Sequence, residues 1–372
     1  MIRSEASDLH AALDRVLDIG YFVGGPVTAS FEKEFASFIG VSDAIGVANG
    51  LDAIRLALEA MGVGPGDEVI VPAFTYYATW LGVIQAGASP VPVDVLPTSA
   101  NLDPRAIERA ITSNTKAVIP VHLYGQAADL AAIQEICTRH RLLLLEDAAQ
   151  SHGAESTAGM TGTVGHAAAF SFYPTKNLGA LGDAGAVTTS DPHIAELIRS
   201  RRSYGQGSSK YDHVDTGWNS RLDPLQAAFL SLHLKRLEEW TNKRRKIAQT
   251  YLDALGGHRA TAVVGPHNVE ASVWHHFVLK AKDRNTLQEF LTGHGIASDA
   301  HYPYAVHNLP PMRKFVSVDG ELPSFPVAER LAKEVTSLPM GPWMTPQQID
   351  QVASALSLIP EDALSCENQA DI

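Results

Sequence analysis

The chain has 372 residues, and 29 Lys and Arg against 41 Asp and Glu give a net charge of −12 with His neutral. With 45% hydrophobic and 19% charged residues it can build a sizeable core and lies outside the composition of disordered chains. Acidity without a long basic run speaks against nucleic acid as a partner, so any anionic ligand has to be held by local groups.

Short apolar runs predict strands at 44–48, 68–73, 90–95, 117–123, 142–146, 167–172 and 186–189. Helical periods fill the gaps over 51–61, 76–86, 103–111 and 130–139. Near-continuous apolar strands at βαβ spacing imply an α/β fold with a large, mostly parallel sheet covered on both faces. From 223 to about 255, Leu225, Phe229, Leu232 and Arg236 recur at helical intervals and predict one long helix joining two domains. The expected division is a large α/β domain at 1–240, a smaller C-terminal α+β domain at 241–360 and a polar, frayed tail at 361–372. The smaller domain is expected to hold a strand at 274–280, a helix at 283–293, a Pro-rich stretch at 302–311 and a closing helix at 345–358.

Two cysteines, Cys137 in a helical pattern and Cys366 in the polar end, make neither a disulfide framework nor a zinc spacing, which points to a reducing cytoplasm. The first residues lack the apolar core of a signal peptide, and no apolar run reaches the ~18 residues that span a bilayer. Neither export nor membrane insertion is expected.

Three segments carry candidate chemistry. In Val47-Ala48-Asn49-Gly50-Leu51-Asp52 a strand runs into a helix through glycine, which leaves free N–H groups and a positive dipole end; this suits a phosphate or is a plain βα turn. The strand Leu142–Leu145 ends in Glu146 and Asp147, and acids so placed need a cation, which a protonated pyridine nitrogen could be. Capping the next turn or binding a metal are the alternatives. Lys176, in Ser171-Phe172-Tyr173-Pro174-Thr175-Lys176-Asn177-Leu178-Gly179, follows an apolar strand on an irregular loop, where burial and a nearby cation would lower its pKa enough for Schiff-base chemistry. The spacing of Gly179, Gly182 and Gly185 is GxxGxxG, and no GxxxxGK[ST] occurs, so neither a dinucleotide fingerprint nor a P-loop is present. A nicotinamide-dependent dehydrogenase is disfavoured accordingly. His275, His276 and His301 have no metal-ligand spacing, and structural roles are the default for them.

At these residues the chain resembles the fold-type I pyridoxal phosphate enzymes, and more closely the DegT/StrS sugar-nucleotide aminotransferases. The likeness runs from Phe22-Val23-Gly24-Gly25-Pro26 to about Pro342, through Gly66-Asp67-Glu68-Val69-Ile70, Val121-His122-Leu123-Tyr124-Gly125-Gln126, Glu146 to Gln150, Ser171 to Gly179, Asn219-Ser220-Arg221-Leu222-Asp223 and His301-Tyr302-Pro303. The resemblance implies an aspartate aminotransferase-like fold and pyridoxal 5′-phosphate as cofactor. It gives Lys176 the Schiff-base linkage and proton transfer, Asp147 the pyridinium, and Gln150 the neighbourhood of the phenolic oxygen. Tyr76 falls where an aromatic ring stacks on the cofactor. The phosphate falls to Gly50, Leu51, Ser171 and an Asn219 from the second subunit of a homodimer. Leu51 stands where many members have Thr or Ser, so one hydroxyl contact is missing. Arg221, His301 and Tyr302 are the implied substrate-binding residues. Family members that act as sugar dehydratases carry histidine at the position of Lys176.

The implied reaction moves an amino group from L-glutamate to carbon 3 of a dTDP-linked 3-keto-6-deoxyhexose. Amination at carbon 4 of a related ketosugar, or at carbon 3 of a UDP-keto-uronate, uses almost the same motifs. A regulator or scaffold with the same fold is the alternative from another class. For the nucleotide diphosphate, Arg221 and Lys243-Arg244-Arg245-Lys246 are candidates, the latter stretch reading more naturally as a solvated helix face.

Overall fold

The computed structural model describes residues 6–209, 211–266, 268–317 and 319–366. In chain order its strands are β1 (Asp43–Val47), β2 (Glu68–Pro72), β3 (Ser89–Val93), β4 (Thr115–Val118), β5 (Leu143–Asp147), β6 (Glu155–Ser156), β7 (Gly159–Met160), β8 (Ala167–Ser171), β9 (Gly185–Thr189), β10 (Phe277–Lys280) and β11 (Val335–Leu338). Seven form one sheet in the order β1-β9-β8-β5-β4-β2-β3. From β8 to β3 all neighbours are parallel, while β9 runs antiparallel between β8 and β1.

Every expected strand of the sheet is present. β4 stops at Val118 and not at 123, because Pro120 has no N–H to continue a central ladder. The apolar runs are buried on both faces: Val69, Val71 and Leu145 pack with Ile54 and Leu58 of the helix Gly50–Ala60. Ile70 and Leu144 pack on the other face with Ile107 of Pro104–Ala110 and Ile133 of Leu130–His140. Side-chain alternation with a period of two thus feeds two cores, as a parallel sheet between helical layers requires.

The long helix expected from 223 is two helices, Pro224–Leu234 and Leu237–Leu255. Neither proline nor glycine breaks it; packing does. Ala227, Ala228 and Leu230 join the core on one side of the sheet, whereas Ile247, Tyr251 and Leu255 belong to a separate core, and the turn at Lys235–Arg236 redirects the chain between them. His233 fixes that turn by donating from Nδ1 to the Gly179 carbonyl at 2.8 Å.

The separate core gathers Trp274, Phe277, Leu287, Leu338 and Leu356 around the β10–β11 pair. β11 was not expected, since its four residues follow directly on the helix Pro326–Glu334. Residues 361–366 are held and not frayed: Leu364 is buried and bridges Ala281, and the Ser365 N–H donates to the Lys280 carbonyl at 3.0 Å. The rest of the expected tail, 367–372, lies outside the described residues.

Candidate active site

Strand ends bring the first residues together. Ser171 closes β8, pairs with Gly185 at the start of β9, and Gly185 pairs in turn with Val47 at the end of β1. The helix Gly50–Ala60 therefore begins beside Ser171. A Cβ on Gly50 would lie 2.7 Å from the Ser171 Cβ, and one on Gly185 would lie 2.5 Å from the Asn49 backbone, so both glycines are required by close approach. Asn49 caps the helix, its Oδ1 accepting from the Asp52 N–H at 2.8 Å. Among the described residues the N–H groups of Gly50 and Leu51 have no acceptor, so a positive helix end with two free donors faces the Ser171 hydroxyl. The missing hydroxyl at Leu51 leaves that position with its backbone donor alone.

Asp147 ends β5 next to β8 and is buried. It accepts from Thr79 Oγ1 at 2.8 Å and from the Ala149 N–H at 3.2 Å, and Thr75 supports Thr79 at 3.0 Å. Burial nevertheless pushes its carboxyl above the ordinary value, against these bonds and the charge of Lys176. Burial brings the Lys176 amine down to about 8, opposed by Asp147. An acid and an amine that are both desolvated and feel each other's charge fit a cationic ring nitrogen at the acid and a carbonyl carbon at the amine. Glu146 points to the opposite face. It accepts from the N–H groups of Gly162 (2.8 Å), Val164 (2.9 Å) and Gly165 (2.8 Å) and from His122 Nε2 at 2.9 Å. His122 Nδ1 accepts from Ala128 at 3.1 Å, which puts its proton on Nε2. Of the two acids that end the strand, one holds loops and the other faces the site.

Gln150 Oε1 accepts from the Tyr124 N–H at 2.7 Å, which orients its Nε2 to donate to the Tyr302 hydroxyl at 3.0 Å. The exposed ring of Tyr76 lies 5.5 Å from that of Tyr302. Tyr302 follows His301 through a cis peptide, the Tyr124 hydroxyl donates to the His301 carbonyl, and His301 Nδ1 bonds Ser337 Oγ at 2.9 Å. Next to Lys176, Asn177 donates from Nδ2 to the Val273 carbonyl at 2.9 Å and accepts from His275 Nδ1 at 3.0 Å. The geometry thereby fixes His275 with its proton on Nδ1 and gives it the structural role expected of it.

Asn219 and Arg221 stand apart from this cluster. Asn219 is exposed, its side chain held by the Arg221 guanidinium, which lies 5.6 Å from the centre of the Tyr204 ring. Between them, the Ser220 hydroxyl accepts from the Ala48 N–H at 3.1 Å, two residues before Gly50. The basic stretch is not uniformly solvated, contrary to expectation. Arg244 is buried and donates to the carbonyls of Trp274, His275 and Met340, while Lys243 pairs with Glu239 at 2.6 Å and Arg245 with Glu270 at 3.1 Å. Thr79, Asn177 and His275 were not anticipated as parts of the site. Only Thr79 carried a signal, one helical turn beyond Tyr76.

The family model for DegT/DnrJ/EryC1/StrS aminotransferases matches residues 3–357. The chain belongs to this family. It is 47% identical over 350 residues to the erythromycin biosynthesis sensory transduction protein EryC1 of Saccharopolyspora erythraea, covering 94% of each chain. It is 44% identical to the dTDP-3-amino-3,4,6-trideoxy-alpha-D-glucose transaminase of Streptomyces venezuelae, over 94% of this chain and 91% of that one. The crystal structure of S. venezuelae DesV in complex with a ketimine intermediate superposes with a TM-score of 0.91 at 43% identity, covering 96% and 95% of the two chains. The DegT/DnrJ/EryC1/StrS chain described here is thus an aminotransferase with the fold-type I architecture.

Proposed function

We propose that this aminotransferase uses pyridoxal 5′-phosphate to move the amino group of L-glutamate to carbon 3 of a dTDP-linked 3-keto-6-deoxyhexose, working as a cytoplasmic homodimer. The observation that carries the reading is the desolvated Asp147–Lys176 pair beside a helix end with two free N–H groups. Relatives named for dTDP-3-amino sugars support carbon 3, as does the His301-Tyr302-Pro303 segment. The large domain at 1–240 supplies the cofactor site in this reading, and the domain at 241–360 contributes His301 and Tyr302.

When bound, the cofactor supplies a carbonyl that exchanges amino groups and a ring that takes up the electrons released at each deprotonation. Gly50 and Leu51 N–H groups and the Ser171 hydroxyl hold its phosphate, and Asn219 of a second copy completes that grip. Asp147 keeps the ring nitrogen protonated, with Thr79 orienting the carboxylate. Gln150, whose Nε2 donates to the Tyr302 hydroxyl, would sit near the cofactor's phenolic oxygen, and Tyr76 would stack on its ring. Lys176 Nζ would hold the cofactor's carbonyl carbon at rest and, once displaced from it by the incoming amine, would take up and return the proton at the carbon that changes oxidation level. Glutamate leaves as its 2-oxo acid and the sugar ketone becomes an amine, so the two half-reactions balance. Arg221, His301 and Tyr302 contact the nucleotide sugar.

The test is an absorption spectrum of the purified protein followed by product analysis. A visible band that vanishes on adding glutamate, and turnover of a dTDP-3-keto but not a dTDP-4-keto sugar, are expected. A protein that stays colourless with added pyridoxal phosphate overturns the enzyme reading and favours a regulatory role; turnover of the 4-keto sugar alone overturns carbon 3.

A further inference from the structure

We propose that His276 is a positioning residue for the sugar, holding the face of His301 so that this imidazole meets the ligand in one orientation. The rings of His276 and His301 stack with centroids 4.0 Å apart and planes 19° from parallel. His301 is thereby fixed on its face by His276 and on its edge by Ser337, which engages Nδ1 and leaves Nε2 for a ligand. The His276 ring also lies 4.1 Å from that of His275, tilted by 54°, and the rings of Tyr124 and His276 meet edge to face at 6.2 Å. His275 is bonded to Asn177, so the column runs from the neighbour of Lys176 to the neighbour of Tyr302. The charges facing it are Lys176 and Arg244, with Asp299 acting on His301. Burial, then His301, Lys176 and Arg244, hold His276 well below the ordinary histidine range, which allows two imidazoles to stack without like-charge repulsion.

The inference rests on the reading that His301 contacts the sugar, and a double-mutant comparison separates the two. Holoenzyme is assayed in reverse, with dTDP-3-amino-3,6-dideoxyglucose and 2-oxoglutarate, alongside the bleaching of the visible band by glutamate. His276→Ala is expected to raise KM for the amino sugar about three- to tenfold, the range of a lost ring pair. Its kcat and its bleaching by glutamate should stay within twofold. His276→Phe, which keeps a ring in place, should restore KM, and in a His301→Asn background His276→Ala should add nothing further. An unchanged KM in His276→Ala beside a raised KM in His301→Asn overturns the inference, as does an undiminished effect of His276→Ala in the His301→Asn background. An unchanged KM in His301→Asn overturns the underlying reading, and with it this role of His276. Should His276→Ala fail to fold, His276→Gln replaces it, and equal KM values for the Gln and Phe variants overturn the stacking role. A wild-type enzyme inactive on this sugar overturns the proposed function and the inference together.

Discussion

Lys176 and Asp147 set the pH behaviour of the cofactor-free protein. With its amine brought down to about 8 by burial, Lys176 is protonated below that pH, so the rate of loading with pyridoxal phosphate should fall as pH drops from 9 to 7, read from the growth of the visible band. Stability has the matching sign. From about 8 up to the ordinary lysine value of 10.5 the unfolded chain binds the proton that the folded chain has released, so stability of the cofactor-free protein rises with pH in that window. Lys176→Ala should abolish transamination while leaving a folded protein, as circular dichroism would show. Asp147→Asn cannot hold the ring proton as a carboxylate does, and kcat should fall by about 10²- to 10⁴-fold with the protein still coloured, as steady-state assays would show. At this scale the sequence carried the acid, at the end of β5, and the lysine, on the irregular loop that follows β8. Asn177 and His275 were illegible: 98 residues separate them, and only folding makes them partners.

The three backbone donors on Glu146 tie β5 to the segment that leads into β8. Glu146→Ala leaves the buried Gly162 and the partly buried Val164 and Gly165 N–H groups without their acceptor, and at roughly 1 kcal/mol each the loss should be about 2–3 kcal/mol in urea unfolding. The pH sign is the same as for Lys176, stability rising with pH, but the window lies on the acid side. Burial raises the Glu146 carboxyl, but the bonds from His122 and the backbone outweigh it and leave it below the ordinary value, so its stabilisation is complete above the unfolded pKa and is lost as pH falls. Gly185→Ala pushes a methyl into the Asn49 backbone and displaces the start of the Gly50–Ala60 helix. Weaker cofactor retention on dialysis, with little change in secondary structure, is the expected outcome. Strands and their flanking helices were legible because burial on both faces writes an unbroken apolar run. The turn at Lys235–Arg236 was not, since helical periodicity continues through it and only the destinations of its two sides differ. β11 was masked by the helix that runs straight into it.

For the whole molecule, the exposed position of Asn219 is the point on which the dimer reading turns. If Asn219 serves the site of the second copy, Lys176→Ala and Asn219→Ala subunits mixed together should regain activity. One of the two sites in such a heterodimer then has both residues, and the mixture should recover up to about a quarter of wild-type turnover once subunits exchange at random. Two inactive homodimers that never complement would place Asn219 in its own subunit's chemistry or outside it. Composition and motif order sufficed for fold and family, whereas the partition of residues between copies leaves no trace in one chain's sequence.

The bond from Asn177 to His275, with the Asn177 amide on the Val273 carbonyl, fastens the lysine loop to the chain just before the buried Trp274. A chromophore attached at Lys176 would therefore act as an optical gauge of a core built elsewhere in the fold. Loosening around Trp274 would change the colour of the enzyme before the sheet itself gave way.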